Sequence, residues 1–80
     1  MYEKFLEIIS DNNETLAAAD LKPEHNFRED LHMNSMDIIN MNIDIESLFN
    51  IKIKEKDIKN LNTIGDLKAY IEKLTKAELV

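Results

Sequence analysis

Cysteine is absent from this 80-residue sequence, and glycine and proline occur only once each. Without cysteine, neither disulfide bonds nor thiolate metal sites can supplement the hydrophobic core. The scarcity of glycine and proline favours a mostly helical chain. Because Gly65 is the only glycine, a glycine-rich phosphate-binding loop is also excluded.

Long apolar segments are missing as well. No run of residues approaches the length of a membrane-spanning helix, and the first residues lack the basic flank and apolar stretch of a secretion signal. We therefore expect a cytoplasmic protein without a membrane partner. A chain of 80 residues predicts one domain, spanning residues 1–80, with a single modest core.

Basic residues are too few to balance the acidic ones, since 10 lysines and arginines stand against 16 aspartates and glutamates, for a net charge of −6. This excess argues against a nucleic-acid partner, because phosphate binding needs clustered lysine and arginine. It agrees with docking on basic protein surfaces, where complementary charge speeds encounter. It agrees equally well with a charge that only keeps a small domain in solution.

Hydrophobic periodicity predicts the first helix from about Tyr2 to about Asn13. The alanine-rich sequence that follows has good helix propensity, so an alternative is that this helix continues to Ala19. A long loop comes next, and Phe27 and Leu31 are the side chains expected to anchor it to the core.

The second helix has a clear predicted start. Asn34 is a good N-cap, and Asp37 lies at the N3 position, where its carboxylate can reach back to the cap. Ser35 then becomes the first residue of the helix, which we expect to end near Phe49 or Asn50.

Two shorter elements and a last helix complete the prediction. Residues 51–54 alternate as in an extended connector, and a short helical turn is expected over about 56–61. Thr63 caps the last helix, with Asp66 at N3. The buried stripe of this helix is predicted to contain Ile64, Leu67, Ile71 and Leu74. The expected fold is all-α, a small four-helix bundle of three main helices and one short helix with a long first loop.

The second helix is apolar on two sides. One face, predicted to pack on the core, carries Ile38, Met41, Ile45, Leu48 and Phe49. The nearly opposite face carries a docking strip, which we define as Met36, Ile39 and Ile43, with Asp37, Asp44 and Glu46 supplying charge around it. Polar residues interleave with this second face, so we expect it to be exposed to a partner. The alternative is that the long loop covers it.

Catalysis by this chain alone is not expected. A serine nucleophile needs a base within hydrogen-bond reach and a group that orients the base. The only imidazoles, His25 and His32, lie in the same loop, and nothing around Ser35 can build a water-excluding pocket with an oxyanion hole. The neighbouring acidic residues match no metal-binding motif. We therefore expect neither an enzyme nor a metal site.

A wider pattern gives Ser35 a different meaning. Its motifs, in chain order, are Phe27, Glu29-Asp30-Leu31, Asn34-Ser35-Met36, Glu46, Phe49, Ile51-Lys52-Ile53 and Thr63-Ile64-Gly65-Asp66. With these motifs in register, the chain resembles the acyl carrier protein family from Phe27 to Ile71, without gaps. The resemblance implies a monomeric bundle of acyl-carrier type.

The resemblance also implies a cofactor and partners. Ser35 would carry a 4′-phosphopantetheine arm, transferred from coenzyme A by a phosphopantetheinyl transferase, and the thiol of the arm would hold an acyl group as a thioester. The second helix would dock on basic surfaces of the transferase and of acyl-processing enzymes. The residues that would line a space for the acyl chain are Phe27, Met41, Ile45, Leu61 and Ile71. The alternative for these five is plain core packing.

Three positions depart from the family pattern. Asn34 replaces the Asp that usually helps to place the divalent metal and coenzyme A on the transferase. His32 replaces a common Gly and Met33 a small residue, and both changes are expected to alter the surface beside Ser35. The second helix is also less acidic than in fatty-acid carriers, which suggests a specialised pathway.

The resemblance leaves several cargoes and one different class of function open. The carrier would serve fatty-acid, polyketide or related synthesis, or alternatively carry aminoacyl or peptidyl groups. The second class is an unmodified carrier-like module with a binding or regulatory role, which Asn34 favours and Ser35 opposes.

Overall fold

Helices account for all the regular structure in the computed structural model, which describes residues 1–79. They are α1 (Tyr2–Asp11), α2 (Ser35–Phe49), α3 (Glu55–Ile58) and α4 (Ile64–Thr75), with a short 3-10 helix (Ala18–Asp20) between α1 and α2. An isolated β-bridge between Asn26 and Thr63 joins the long loop to the start of α4. The predicted all-α fold of three main helices and one short helix is confirmed.

The first helix ends at Asp11, and the alternative that it continues to Ala19 is wrong. Asn13 gives the physical reason. Its side-chain Oδ1 accepts hydrogen bonds from the backbone N–H groups of Thr15 and Leu16, both at 2.9 Å. Asparagine side chains of this kind offer the backbone an alternative to helical hydrogen bonds, and here that alternative prevails over alanine propensity.

Both predicted helix starts are confirmed. Asn34 Oδ1 accepts from Asp37 N at 2.8 Å, and Asn34 N donates to Asp37 Oδ2 at 3.0 Å. The same reciprocal pair forms at α4, where Thr63 Oγ1 accepts from Asp66 N at 3.1 Å and Thr63 N donates to Asp66 Oδ2 at 3.2 Å. Each cap satisfies orphan N–H groups of its helix and is worth about 1 kcal/mol.

The long loop is held to the core as predicted. Phe27 is 2% exposed and Leu31 is 1% exposed. The loop backbone also binds to the start of α4, because Phe27 N donates to Asn62 O at 2.9 Å and Ile64 N donates to His25 O at 3.1 Å. These contacts fix the loop that precedes Ser35.

The single glycine lies where the same loop meets α4. Gly65 N donates to Pro23 O at 2.8 Å. A Cβ atom at this position would lie only 3.2 Å from that oxygen, in a contact that real side chains rarely make. Gly65 therefore permits the close approach of the loop to the first turn of α4.

One buried core is shared by α1, α2, α4 and the loops between them, and Ile58 of α3 packs against it as a partly buried residue. The core contains Phe5, Ile9, Leu21, Phe27, Leu31, Met33, Met41, Ile45, Ile53, Ile64, Leu67, Ile71 and Leu79. The prediction that Leu74 belongs to the buried stripe of α4 is wrong, since this residue is 43% exposed. It lines a surface groove together with Tyr70 and Asp57.

The short helix α3 begins one residue before the predicted turn and ends at Ile58. Tyr70 of α4 holds it in place, because its hydroxyl donates to Asp57 Oδ2 at 2.8 Å and accepts from Lys54 N at 3.4 Å. A helix of four residues has no stability of its own, so α3 depends on these two tertiary hydrogen bonds. Burial and the hydrogen bond to Asp57 raise the pKa of Tyr70.

Replacing Tyr70 by phenylalanine should lower the free energy of unfolding by about 1 kcal/mol or more, because the hydrogen bonds of its hydroxyl to Asp57 and Lys54 are lost while the ring remains. Urea unfolding measures the change. Tyr2→Phe is the matched control, since it keeps the ring that stacks on Phe5, and it should change stability less. An equal loss in both variants would contradict this role for Tyr70.

The variants Tyr70→Phe and Tyr2→Phe also test the raised pKa of Tyr70. The folded state favours the protonated phenol of Tyr70, so its stabilisation is complete below the ordinary tyrosine pKa of about 10. It is lost as the pH rises through the raised pKa of Tyr70. Wild type and Tyr2→Phe should therefore lose more stability above pH 10 than Tyr70→Phe.

Candidate functional site

Ser35 is the first residue of α2 and is exposed. Its position is fixed by the Asn34–Asp37 cap immediately around it. The hydroxyl oxygen accepts a hydrogen bond from Arg28 Nη2 at 3.1 Å. The serine is therefore presented at a rigid helix start, open to an approaching protein.

The contacts of Ser35 hold the hydroxyl but do not activate it. A guanidinium has five donors and no acceptor, and it stays protonated, so Arg28 cannot take the serine proton. His25 accepts a hydrogen bond at Nδ1 from Lys22 N at 3.0 Å. Residues 1–79 also contain no group of three or more His, Asp or Glu side chains arranged to hold a metal ion.

A cavity of about 420 Å³ opens beside Ser35, between the long loop, α2 and the α3 region. Its apolar lining consists of Phe27, Ile38, Ile39, Ile58 and Leu61, and its polar lining of Asn26, Arg28, Ser35, Glu55, Lys59 and Asn62. The cavity therefore joins an apolar interior to a rim that contains the serine.

Two of the five residues predicted to line an acyl space, Phe27 and Leu61, border this cavity. The other three, Met41, Ile45 and Ile71, are buried in the core and do not line it. Sequence reasoning did not assign the other three apolar lining residues, Ile38, Ile39 and Ile58, to this space. The available signal was the position of Ile38 on the core face of α2, three residues after Ser35.

The docking strip is exposed as predicted: Met36 is 63% exposed, Ile39 47% and Ile43 56%. The alternative that the long loop covers it is wrong. The carboxylates assigned to its surroundings have structural partners. Asp37 caps α2, Asp44 accepts from Asn12 at 3.3 Å, and Glu46 accepts from Ile53 N at 2.7 Å.

The residues between Leu31 and Ser35 contain a backbone feature that the sequence did not reveal. His32 has a positive φ of 54°, a left-handed conformation that favours glycine. The turn leaves His32 exposed while Leu31 and Met33 on either side are buried. The expectation that Met33 alters the surface is therefore wrong, because it is only 3% exposed and belongs to the core.

Comparisons with known proteins agree with this site. A family model described as "Phosphopantetheine attachment site" matches residues 3–71. An acyl carrier protein of Exiguobacterium sp. is 37% identical over 54 residues, which are 68% of this chain and 68% of the relative. An acyl carrier protein of Helicobacter hepaticus is 36% identical over 55 residues, covering 69% of this chain and 72% of the relative.

Other relatives are longer, and one solved structure shares the fold. The meromycolate extension acyl carrier protein of Mycobacterium tuberculosis is 34% identical over 56 residues, which are 70% of this chain but 49% of the relative. The chain thus matches about half the length of that relative. The structure of an acyl carrier protein from Enterococcus faecalis superposes with a TM-score of 0.76, at 24% identity and 90% coverage of both chains.

This chain therefore belongs to the acyl carrier protein family, and its cofactor is phosphopantetheine. The geometry around Ser35 fits that group. The hydroxyl can form a phosphate ester, the neighbouring guanidinium suits an anionic phosphate, and the adjoining cavity has an apolar interior. Among the described helices, none is both long and apolar enough to span a bilayer.

Replacing His32 by glycine should raise the free energy of unfolding by about 0.5–1 kcal/mol. A left-handed conformation costs other residues about 1–2 kcal/mol, and part of the gain is offset by the greater freedom of glycine in the unfolded chain. The midpoint of urea unfolding measures the change. His32→Val should instead destabilise the protein, because a β-branched residue tolerates positive φ poorly. Equal midpoints for both variants would show that the backbone at position 32 is not strained.

Proposed function

We propose that this chain carries acyl intermediates as thioesters on a 4′-phosphopantetheine arm attached to Ser35. The observation that supports the proposal is the exposed hydroxyl at the first residue of α2, on the rim of an apolar cavity. Ser35 also lies inside the segment that matches the phosphopantetheine attachment family. The cargo would be an intermediate of fatty-acid, polyketide or related specialised synthesis, with aminoacyl or peptidyl groups as the alternative.

The arm supplies a flexible tether and a terminal thiol, in a chain that has no cysteine of its own. The residues of the chain provide the attachment point. The Asn34–Asp37 cap holds Ser35 at the N-terminal end of a fifteen-residue helix. In the transfer, Ser35 Oγ loses its proton and attacks the pyrophosphate of coenzyme A, adenosine 3′,5′-bisphosphate leaves, and Oγ becomes the bridging oxygen of a phosphodiester. Tethering keeps the thioester at high effective concentration near each docked enzyme.

The proposed partners are a phosphopantetheinyl transferase and acyl-processing enzymes with basic docking surfaces. Exposure of the docking strip and the net charge of −6 support docking along α2. In this proposal the chain is a monomeric single domain, acts as a carrier and not as an enzyme, and binds neither nucleic acid nor metal. Its cytoplasmic location stays a prediction.

The replacement of the family's Asp by Asn34 affects charge rather than structure. Its side chain caps α2 through Oδ1, as a carboxylate oxygen would. The missing negative charge is therefore expected to affect recognition by the transferase, and not the presentation of Ser35.

Intact mass provides the direct test. The purified chain, incubated with coenzyme A, magnesium and a broad-specificity phosphopantetheinyl transferase, should gain the mass of one phosphopantetheine. Ser35→Ala should gain nothing while keeping the helical circular dichroism spectrum, because Ser35 is exposed and contributes no core contact.

The Asn34→Asp variant distinguishes the possible reasons for a wild type that gains no phosphopantetheine. If wild type stays unmodified and this variant is loaded, the chain is a carrier that needs a selective transferase. If neither is loaded by any transferase tried, the function proposed here is wrong, and the unmodified binding module becomes the better description.

Replacing Ile43 by aspartate should weaken binding to the transferase about tenfold or more, because it puts a charge on the apolar docking strip. The free energy of unfolding should change by only about 0.5 kcal/mol, since the residue is exposed. Leu74→Asp is the matched control, because it makes the same change at an exposed leucine on α4.

Binding is measured as the KM for loading and as the dissociation constant for the transferase, and stability by urea unfolding. Equal weakening by Ile43→Asp and Leu74→Asp would mean that added charge matters and position does not. Unfolding of Ile43→Asp alone would show that the strip contributes to the core.

A further inference from the structure

Arg28 is the only arginine in the chain. Its side chain donates to Ser35 Oγ at 3.1 Å and lines the cavity beside that residue. An exposed arginine side chain can adopt many conformations that point into solvent. Here it instead contacts Ser35, the residue at which the arm is proposed to be attached.

A rigid turn presents this side chain. Arg28 N and Glu29 N both donate to Asn26 Oδ1, at 2.9 and 3.0 Å, and Asn26 N donates to Asp30 Oδ2 at 2.7 Å. Buried Phe27 precedes Arg28 directly in the chain. The backbone at Arg28 is therefore fixed relative to the start of α2, and only the side chain needs to adjust to a ligand.

Attachment of the arm changes what the guanidinium faces. In the unmodified chain Ser35 Oγ is a neutral acceptor. In the loaded chain it is the ester oxygen of a phosphodiester, whose non-bridging oxygens carry a negative charge. Guanidinium–phosphate hydrogen bonds are charge-assisted, often bidentate, and roughly twice as strong as neutral ones. The start of α2 also favours negative charge through the helix dipole.

The other charges of the cavity favour the same location for the phosphate. Glu55 and Lys59 both line the cavity on the α3 side, and their opposite charges offset each other there. Arg28 lies on the side of the cavity formed by the long loop and contacts Ser35 itself. Arg28 is thus the cationic side chain best placed to meet an anion attached at Ser35.

We propose that Arg28 binds the phosphate of the arm on Ser35 and directs the first segment of the arm along the cavity. This inference rests on the proposed function, since it requires the arm to be attached at Ser35. Arg28 is a positioning residue: it orients the proximal end of the arm and takes no part in thioester chemistry.

Nuclear magnetic resonance of the loaded protein tests the inference, because both groups give single signals. The chain has one arginine, so one Nε–H resonance reports on it, and the loaded protein contains one phosphorus. On loading, the Arg28 Nε–H resonance should shift. In Arg28→Gln, the phosphorus resonance should shift and narrow relative to loaded wild type, because the phosphate is released from the guanidinium.

Two variants separate a specific contact from a general charge effect. Lys4→Gln removes the same unit of charge from an exposed residue of α1 and should leave the phosphorus resonance unchanged. Arg28→Lys keeps the charge without the planar fork and should give an intermediate phosphorus shift. Intact mass verifies loading in every sample before its spectra are compared.

The outcomes distinguish this inference from the proposed function. If wild type gains no phosphopantetheine, the proposed function fails and this inference fails with it. If wild type is fully loaded but its Arg28 resonance does not move, and Arg28→Gln leaves the phosphorus signal unchanged, the arm is attached and Arg28 does not bind it.

Discussion

Burial of Phe27 and Leu31 is the constraint on which the surroundings of Ser35 depend. These two side chains hold a long loop against α2 and α4 without any disulfide bond. Because alternate parts of the loop are drawn inwards, Arg28 and His32 are turned outwards on either side of Leu31. The position of Arg28 beside Ser35 thus follows from the core packing of Phe27, directly before it, and of Leu31, three residues after it.

The acidic residues of α2 show how one small domain uses the same side chain for more than one purpose. Asp37, Asp44 and Glu46 all accept hydrogen bonds from the chain itself. Their negative charge still contributes to the surface potential, since a hydrogen bond does not neutralise a carboxylate. Roughly half or more of each docking-strip residue is exposed. Of the three, Ile39 also lines the cavity beside Ser35.

The cavity beside Ser35 is assembled from segments that are far apart in the chain. Phe27 comes from the long loop, Ile38 from α2, and Ile58 from α3. The wall that contains Ile58 depends on α3, a four-residue helix that is held through the hydroxyl of Tyr70. The shape of the cavity is therefore sensitive to α4, although no residue of α4 lines it.

Local sequence was sufficient to predict both capped helix starts, the place of Ser35 as the first residue of α2, and the exposure of the docking strip. Caps join residues three apart, and helical faces follow from a fixed angle per residue, so neither needs knowledge of distant contacts. The early end of α1 is also a local effect, because Asn13 binds the backbone of Thr15 and Leu16, although alanine propensity suggested a longer helix. Tertiary contacts decided the exposure of Leu74, the left-handed His32 and the membership of the cavity. Each of these depends on which distant segments meet in space, and no spacing along the chain encodes that meeting.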